Sequence, residues 1–211
     1  MPLTIEAAVG LGLPPAIEAR LARLRTPERV QSFVSRIPWN TEHDGHTARS
    51  VVGVLSHNAA HCIEGAFVAA AALALAGHPP LLMDMGAARG DVDHVVALFR
   101  RRGLWGAISK SNSPLLRYRD PIYRSLRELS LSFFPQYVKG RRKTLRTYSV
   151  SVDLRKHDAA LWATYEGPVC QEIVDVLTAA RHFPIVPPEA AGDLRPIDEI
   201  ERRGALLSEH A

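Results

Sequence analysis

Only two cysteines occur in the 211 residues, Cys62 and Cys170, so at most one disulfide can form and a disulfide-built scaffold is excluded. No CxxC or comparable thiolate cluster is present, which removes the usual structural zinc arrangements. No HExxH occurs either, although His57 and His61 stand one helical turn apart, and no metal site is expected. An unbroken apolar run of the ~18 residues that cross a bilayer is also missing. Gly65, Gly77 and the break His78-Pro79-Pro80 confine the longest run to one buried helix, so no membrane partner is expected. Met1-Pro-Leu-Thr-Ile-Glu6 lacks the basic region and apolar core of a secretory signal, and a cytoplasmic location is expected. Internal repeats and low-complexity tracts are absent.

What remains is a globular composition, 46% hydrophobic and 23% charged, which fits one domain over residues 1–211. The formal net charge of +4 raises the question of nucleic acid. Its main clusters, Arg100-Arg101-Arg102 and Lys139-Gly-Arg-Arg-Lys143, are short, lie at expected turns and lack interleaved aromatics, so solvated turns are expected and nucleic acid is not.

Two amino-terminal helices, within about 14–36, follow from the periodic run Pro15 to Leu24 and from Thr26-Pro27-Glu28, an N-cap and first turn for a helix through Ser35. Ser50 to Leu55 reads as a short helix. Cys62 to Ala76 is apolar around its whole circumference and must be buried on every side, with Gly77 in the left-handed position that closes it. Three short apolar runs, Leu81–Met85, His94–Phe99 and Leu104–Ile108, predict an antiparallel sheet packed on that helix, the last two joined by an Arg102-Gly103 hairpin. Asp120-Pro121 reads as the start of a helix through about Phe134, Thr144–Val152 as a strand, Val169–Ala180 as a helix and Pro196–Leu207 as a surface helix. The expected fold is α+β, with a catalytic-type core at about 50–112 and a helical extension at about 120–207.

The chemistry lies in that core. A free thiol, with a pKa near ~8.5, needs help to ionise at neutral pH. A helix start supplies unpaired N–H groups and a partial positive charge that favour the thiolate. His94, opening a strand of a sheet laid on the helix, is placed to act as base and then acid towards Cys62. The amides around Cys62 are candidates for an oxyanion site. The acceptor that orients the imidazole belongs on the next strand, where Trp105-Gly-Ala-Ile-Ser-Lys-Ser-Asn112 offers Ser109 or Asn112 and no carboxylate. Asp93 should face away from His94, because adjacent strand residues alternate sides.

A cysteine at a helix start, then a strand beginning with histidine, then a strand reading Trp-x-x-x-polar resembles the transglutaminase-like branch of the papain-like cysteine fold. The phrases His61-Cys-Ile-Glu-Gly-Ala66, Trp105 to Asn112 and Leu116-Arg-Tyr-Arg-Asp-Pro121 are similar to an uncharacterised bacterial branch of it. The resemblance spans roughly Ser50 to Asn112. It implies the order Cys, His, Asp on a helix and an antiparallel sheet, at Cys62, His94 and, counting from Trp105, Ser109, where serine replaces the aspartate. The implied activity is acyl transfer or hydrolysis on an amide- or peptide-containing substrate. A thiol and an imidazole suffice for that, so no cofactor is expected.

Lys110, Arg117 and Arg119 follow the third strand and form either a clamp for an anionic carboxylate or phosphate, or ordinary ion pairs with residues such as Asp120 and Glu128. With Trp105, first of all a packing residue, they complete the candidate substrate-binding set. Glu64 is expected to be a dipole-favoured carboxylate or the partner of a buried arginine. Cys170 is expected to be an inert core or surface thiol. The alternative to an enzyme is a binding module of the same fold that takes an anionic small molecule or a protein partner.

Overall fold

The computed structural model describes residues 10–43 and 45–210, so the amino-terminal stretch Met1–Glu6 lies outside the described residues. Proline in the first turn opens α1 (Pro15–Ala22) and α2 (Pro27–Arg36), and the Thr26 hydroxyl caps α2 by accepting from Arg29 N–H. Ser50 caps α3 (Val51–His57) in the same way. A left-handed Asn58, at φ 52°, then turns the chain towards α4 (Cys62–Leu75). Ile63 through Leu73 of α4 are all buried, as an apolar circumference requires. Gly77, at φ 85°, ends the helix while the His78 N–H returns to the Leu73 carbonyl.

Three strands follow, β1 (Leu81–Met85), β2 (His94–Arg101) and β3 (Leu104–Ile108). Arg102 and Gly103, at φ 53° and 81°, make the tight β2–β3 turn; two successive positive φ values match the right-handed twist of the strands they join. Alternate residues of β2 separate cleanly. Val95, Ala97 and Phe99 face a core built on α1 to α4, whereas Val96 and Leu98 join Met83, Met85 and Ala107 in a second core on the other face. The sheet is therefore covered on both sides.

The stretch after Asn112 departs from expectation. Asp120-Pro121 does not begin a helix: Arg119–Tyr123 is a fourth strand, β4, at the sheet's edge, where the missing N–H of Pro121 is tolerated. The helix α5 (Leu126–Phe133) starts later, capped by the Ser125 hydroxyl, and Leu129 and Phe133 fill the second core. The extension is also less helical than predicted. It continues through a small hairpin of β5 (Val138–Lys139) and β6 (Arg142–Lys143). The single strand expected at Thr144–Val152 is divided between β7 (Thr147–Ser149) and β8 (Val152–Asp153), because each serves a different sheet. Then come α6 (Gln171–Ala179), β9 (His182–Pro184) and α7 (Glu199–Ala205), the last shorter than predicted and opened by an Asp198–Glu201 capping box.

The main sheet is five-stranded and antiparallel, in the order β4-β3-β2-β1-β8, while β7 pairs with β9. Among the described residues, no helix is long and apolar enough to cross a membrane.

Candidate active site

The last β1–β2 pair, Met85 opposite His94, marks the end of the sheet nearest the start of α4. A cavity of about 600 Å³ opens there. Cys62 and His94 both line it, together with Trp39, Asp84, Asp93, Asn112 and Tyr137. Because the cavity lies at the sheet's open end, Asp93 and His94 both border it despite strand alternation; Asp93 Oδ1 accepts from Ala87 N–H at 2.7 Å.

Cys62 is the first residue of α4, so its sulfur stands beside amides that the helix's own carbonyls do not serve. The sulfur lies 3.9 Å from His61 Nδ1 and 3.9 Å from the Asp93 carbonyl oxygen. Burial by itself would raise the thiol pKa, but hydrogen bonding and charge from His61 and His94 outweigh it and bring the value down to about 5. The second thiol behaves oppositely. Cys170, buried against the first core, is pushed up to about 12 by desolvation.

Ser109 follows β3 directly, and extending the register Ala97–Ile108 by one residue sets it opposite Val96, diagonal to His94 on the same face. Its Oγ lies 2.7 Å from His94 Nε2. That hydroxyl donates its only proton to the Leu116 carbonyl at 2.5 Å, so it accepts from His94, which therefore carries its proton on Nε2. Nδ1 is then the nitrogen at which the ring takes up or releases a proton. The Tyr137 ring packs edge-on to the imidazole, with centroids 6.3 Å apart.

Sequence reasoning missed His61 as a member of the site. It is the N-cap of α4, and side-chain direction at a cap does not follow from helical periodicity. Its Nε2 lies 2.7 Å from the Thr47 carbonyl oxygen. Glu64, fully buried, accepts from His61 N–H, from the Asn40 amide and from Arg49 N–H at 2.9–3.1 Å, with the Arg49 guanidinium at 3.4 Å. Both roles anticipated for Glu64, near the helix start and beside an arginine, are thus filled by one carboxylate. Desolvation would raise its pKa, but His61, Asn40 and the backbone donors lower it overall. His61 is displaced the other way. Burial lowers its pKa, yet Cys62, Glu64 and the Thr47 carbonyl raise it to about 9. Asp84 is paired with His182 at 3.0 Å and is raised to about 6, mainly by burial.

The remaining predicted residues do not converge on the sulfur. Asn112 lines the cavity but does not orient His94, since its carboxamide binds the chain's own tail: Oδ1 accepts from Glu209 and His210 N–H, and Nδ2 donates to the His210 carbonyl. Lys110 is 1% exposed and crosses Gly65 of α4 to reach the carbonyls of Ser35 and Ile37 at the end of α2. Arg117 pairs with Glu209. Arg119 donates to the carbonyls of Leu115, Arg117, Tyr118 and Ser132 and lies over the Phe133 ring. Trp105 packs in the second core beneath Arg100, whose guanidinium carbon is 4.7 Å from the ring centroid. None of these four lines the cavity. Among the described residues, no group of three or more His, Cys, Asp or Glu side chains is arranged to hold a metal ion.

No protein-family model matches this chain, and no curated protein matches it in sequence.

Proposed function

We propose that this protein is a thiol-dependent acyl-transfer enzyme of transglutaminase-like, papain-like type, acting on an amide or peptide. The observation that carries this reading is a sulfur at a helix start, inside a cavity, with a histidine whose Nε2 is committed to Ser109 and whose Nδ1 takes up or releases the proton. The Cys62 thiol proton passes to an imidazole, and the thiolate attacks the acyl carbon. As the C–N bond breaks, the amine leaves with that proton and a thioester remains on Cys62. Water or a second amine then attacks the thioester, gives its proton to His94 and expels the thiolate. The amides at the start of α4 face the charge that develops on the acyl oxygen.

The cavity wall also bears on the substrate. Among the described residues it carries Glu42, Asp84, Asp91 and Asp93 but no lysine or arginine. The basic residues on which an anion clamp would rest are engaged elsewhere. The substrate we propose is accordingly neutral or cationic near the reacting bond, and not one held by an anion clamp.

An activated acyl ester tests the reading. Intact-protein and peptide mass spectrometry should find one acyl adduct, on Cys62, that hydroxylamine removes and Cys62→Ala abolishes. An unmodified Cys62, or modification of Cys170 at a similar rate, would refute it.

A further inference from the structure

Two imidazoles, not one, attend the Cys62 sulfur, and their surroundings differ. His94 Nε2 meets a hydroxyl whose proton is already committed to Leu116, so this ring has an uncharged acceptor behind it. His61 Nε2 meets the Thr47 carbonyl at 2.7 Å, with Glu42 Oε1 at 3.7 Å and Glu64 Oε2 at 3.8 Å. A carbonyl can only accept, so His61 Nε2 always bears a proton. Whichever ion state the ring takes is therefore decided at Nδ1, the atom 3.9 Å from the sulfur. If Nδ1 is bare, the ring accepts from the thiol; if it is protonated, the ring donates to the thiolate. The contact survives in both states.

We infer that the proton of the Cys62 thiol rests on His61 in the free enzyme, making His61 the standing counter-ion of the thiolate and leaving His94 uncommitted for the nucleophile that enters. This rests on the thiol-enzyme reading above. The proton moves from Sγ to Nδ1, so the pair keeps its total charge and no outside base is consumed. It becomes available to the departing amine when thioester formation removes the sulfur's charge.

Charges from every packed element bear on the pair. Glu42 from the loop before α3 and Glu64 from α4 favour the imidazolium, while Arg49 opposes it through its contact with Glu64. Asp84 at the end of β1 and Asp93 before β2 border the same cavity and disfavour a thiolate, and Tyr137 and His182 lie behind them. Glu64 and, farther off, Glu42, which His46 also meets at 3.0 Å, stand beside His61 against a hydroxyl beside His94, and favour the charge on His61. The shifts of both members, His61 upward and Cys62 downward, agree with a shared ion pair. The serine that replaces the aspartate expected in this fold is then compensated: the carboxylates stand behind the other histidine.

The test is the pH dependence of Cys62 alkylation by iodoacetamide, in the full chain, for wild type, His61→Asn and His94→Ala. Asparagine keeps a good N-cap and sets an uncharged amide near the place of Nδ1, although it is too short to reach the Thr47 carbonyl. Thermal unfolding confirms that each variant is folded. His61→Asn should move the alkylation inflection up towards the ordinary thiol value of ~8.5 and slow alkylation at pH 6 by roughly tenfold or more. His94→Ala should move it less while stopping acyl turnover. A larger shift in His94→Ala than in His61→Asn, or an unmoved inflection in His61→Asn, would overturn the inference. If alkylation behaves as expected but no acyl adduct ever forms, the enzymatic reading fails and the ion pair stands; an adduct with an unmoved His61→Asn profile means the reverse.

Discussion

Ser109 Oγ lies 2.7 Å from His94 Nε2 and hands its own proton to the Leu116 carbonyl, so one hydroxyl sets both the orientation and the tautomer of the histidine. Ser109→Ala leaves a buried N–H without its acceptor, which costs about 1–3 kcal/mol. It also frees the ring to turn. Acyl transfer should fall by tenfold or more, a fraction of the ~10²–10⁴ that acid–base catalysis contributes. Alkylation of Cys62 at neutral pH, governed chiefly by His61, should change by much less. Steady-state turnover and alkylation rates measured on one preparation separate the two effects.

Gly65 sits where Lys110 crosses α4. A Cβ there would lie 2.3 Å from Lys110 Cβ, too close for any contact between carbons. Replacing a helical glycine with alanine normally stabilises by about 1 kcal/mol. Here the clash decides the sign, and Gly65→Ala should lower stability by about 1–3 kcal/mol, as overpacked cores do. Urea unfolding measures it. A stability equal to or above wild type would mean that the crossing is looser than described.

Glu64 ties Asn40, Arg49 and His61 to the first turn of α4, and its pKa in the folded protein is lowered. A carboxylate whose folded pKa lies below its unfolded value, ~4.3, stabilises fully above that value and loses this contribution as pH falls through the folded pKa. Glu64→Gln should therefore cost about 1–3 kcal/mol at pH 7, with the gap to wild type narrowing below about pH 4. Thermal melts across pH 3–7 report this. A gap independent of pH would assign the effect to packing.

Much of the core was legible because single physical rules governed it. A helix apolar all round has one possible position, and Gly77 could end it in the left-handed conformation that other residues resist. The pair Arg102-Gly103 announced its turn, and the sheet geometry pointed to Ser109 or Asn112 on the next strand, of which Ser109 contacts His94. Elsewhere two rules met and the sequence did not rank them. Asp120-Pro121 is equally the start of a helix and an edge strand, and pairing of Arg119 and Tyr123 with β3 settled it. Lys110, Arg117 and Arg119 carry the right charges for a clamp, but buried carbonyls, Glu209 and the Phe133 ring claim them, all contacts distant in sequence or dependent on backbone direction. His61 was visible beside Cys62, yet the charge it holds depends on its side-chain direction towards Cys62, Glu64 and the distant Thr47 carbonyl.

Apart from Glu64 in its first turn, α4 has no wet side on which to survive alone, so it acquires its place only when α1 to α3 and the sheet enclose it. The enclosing sheet is itself assembled from far along the chain, with Leu81 paired to Asp153. Contacts of such sequence separation form late and slowly. A nascent or partly melted chain therefore holds an ordinary sulfhydryl, and the surroundings that lower the Cys62 pKa arise only with the finished architecture.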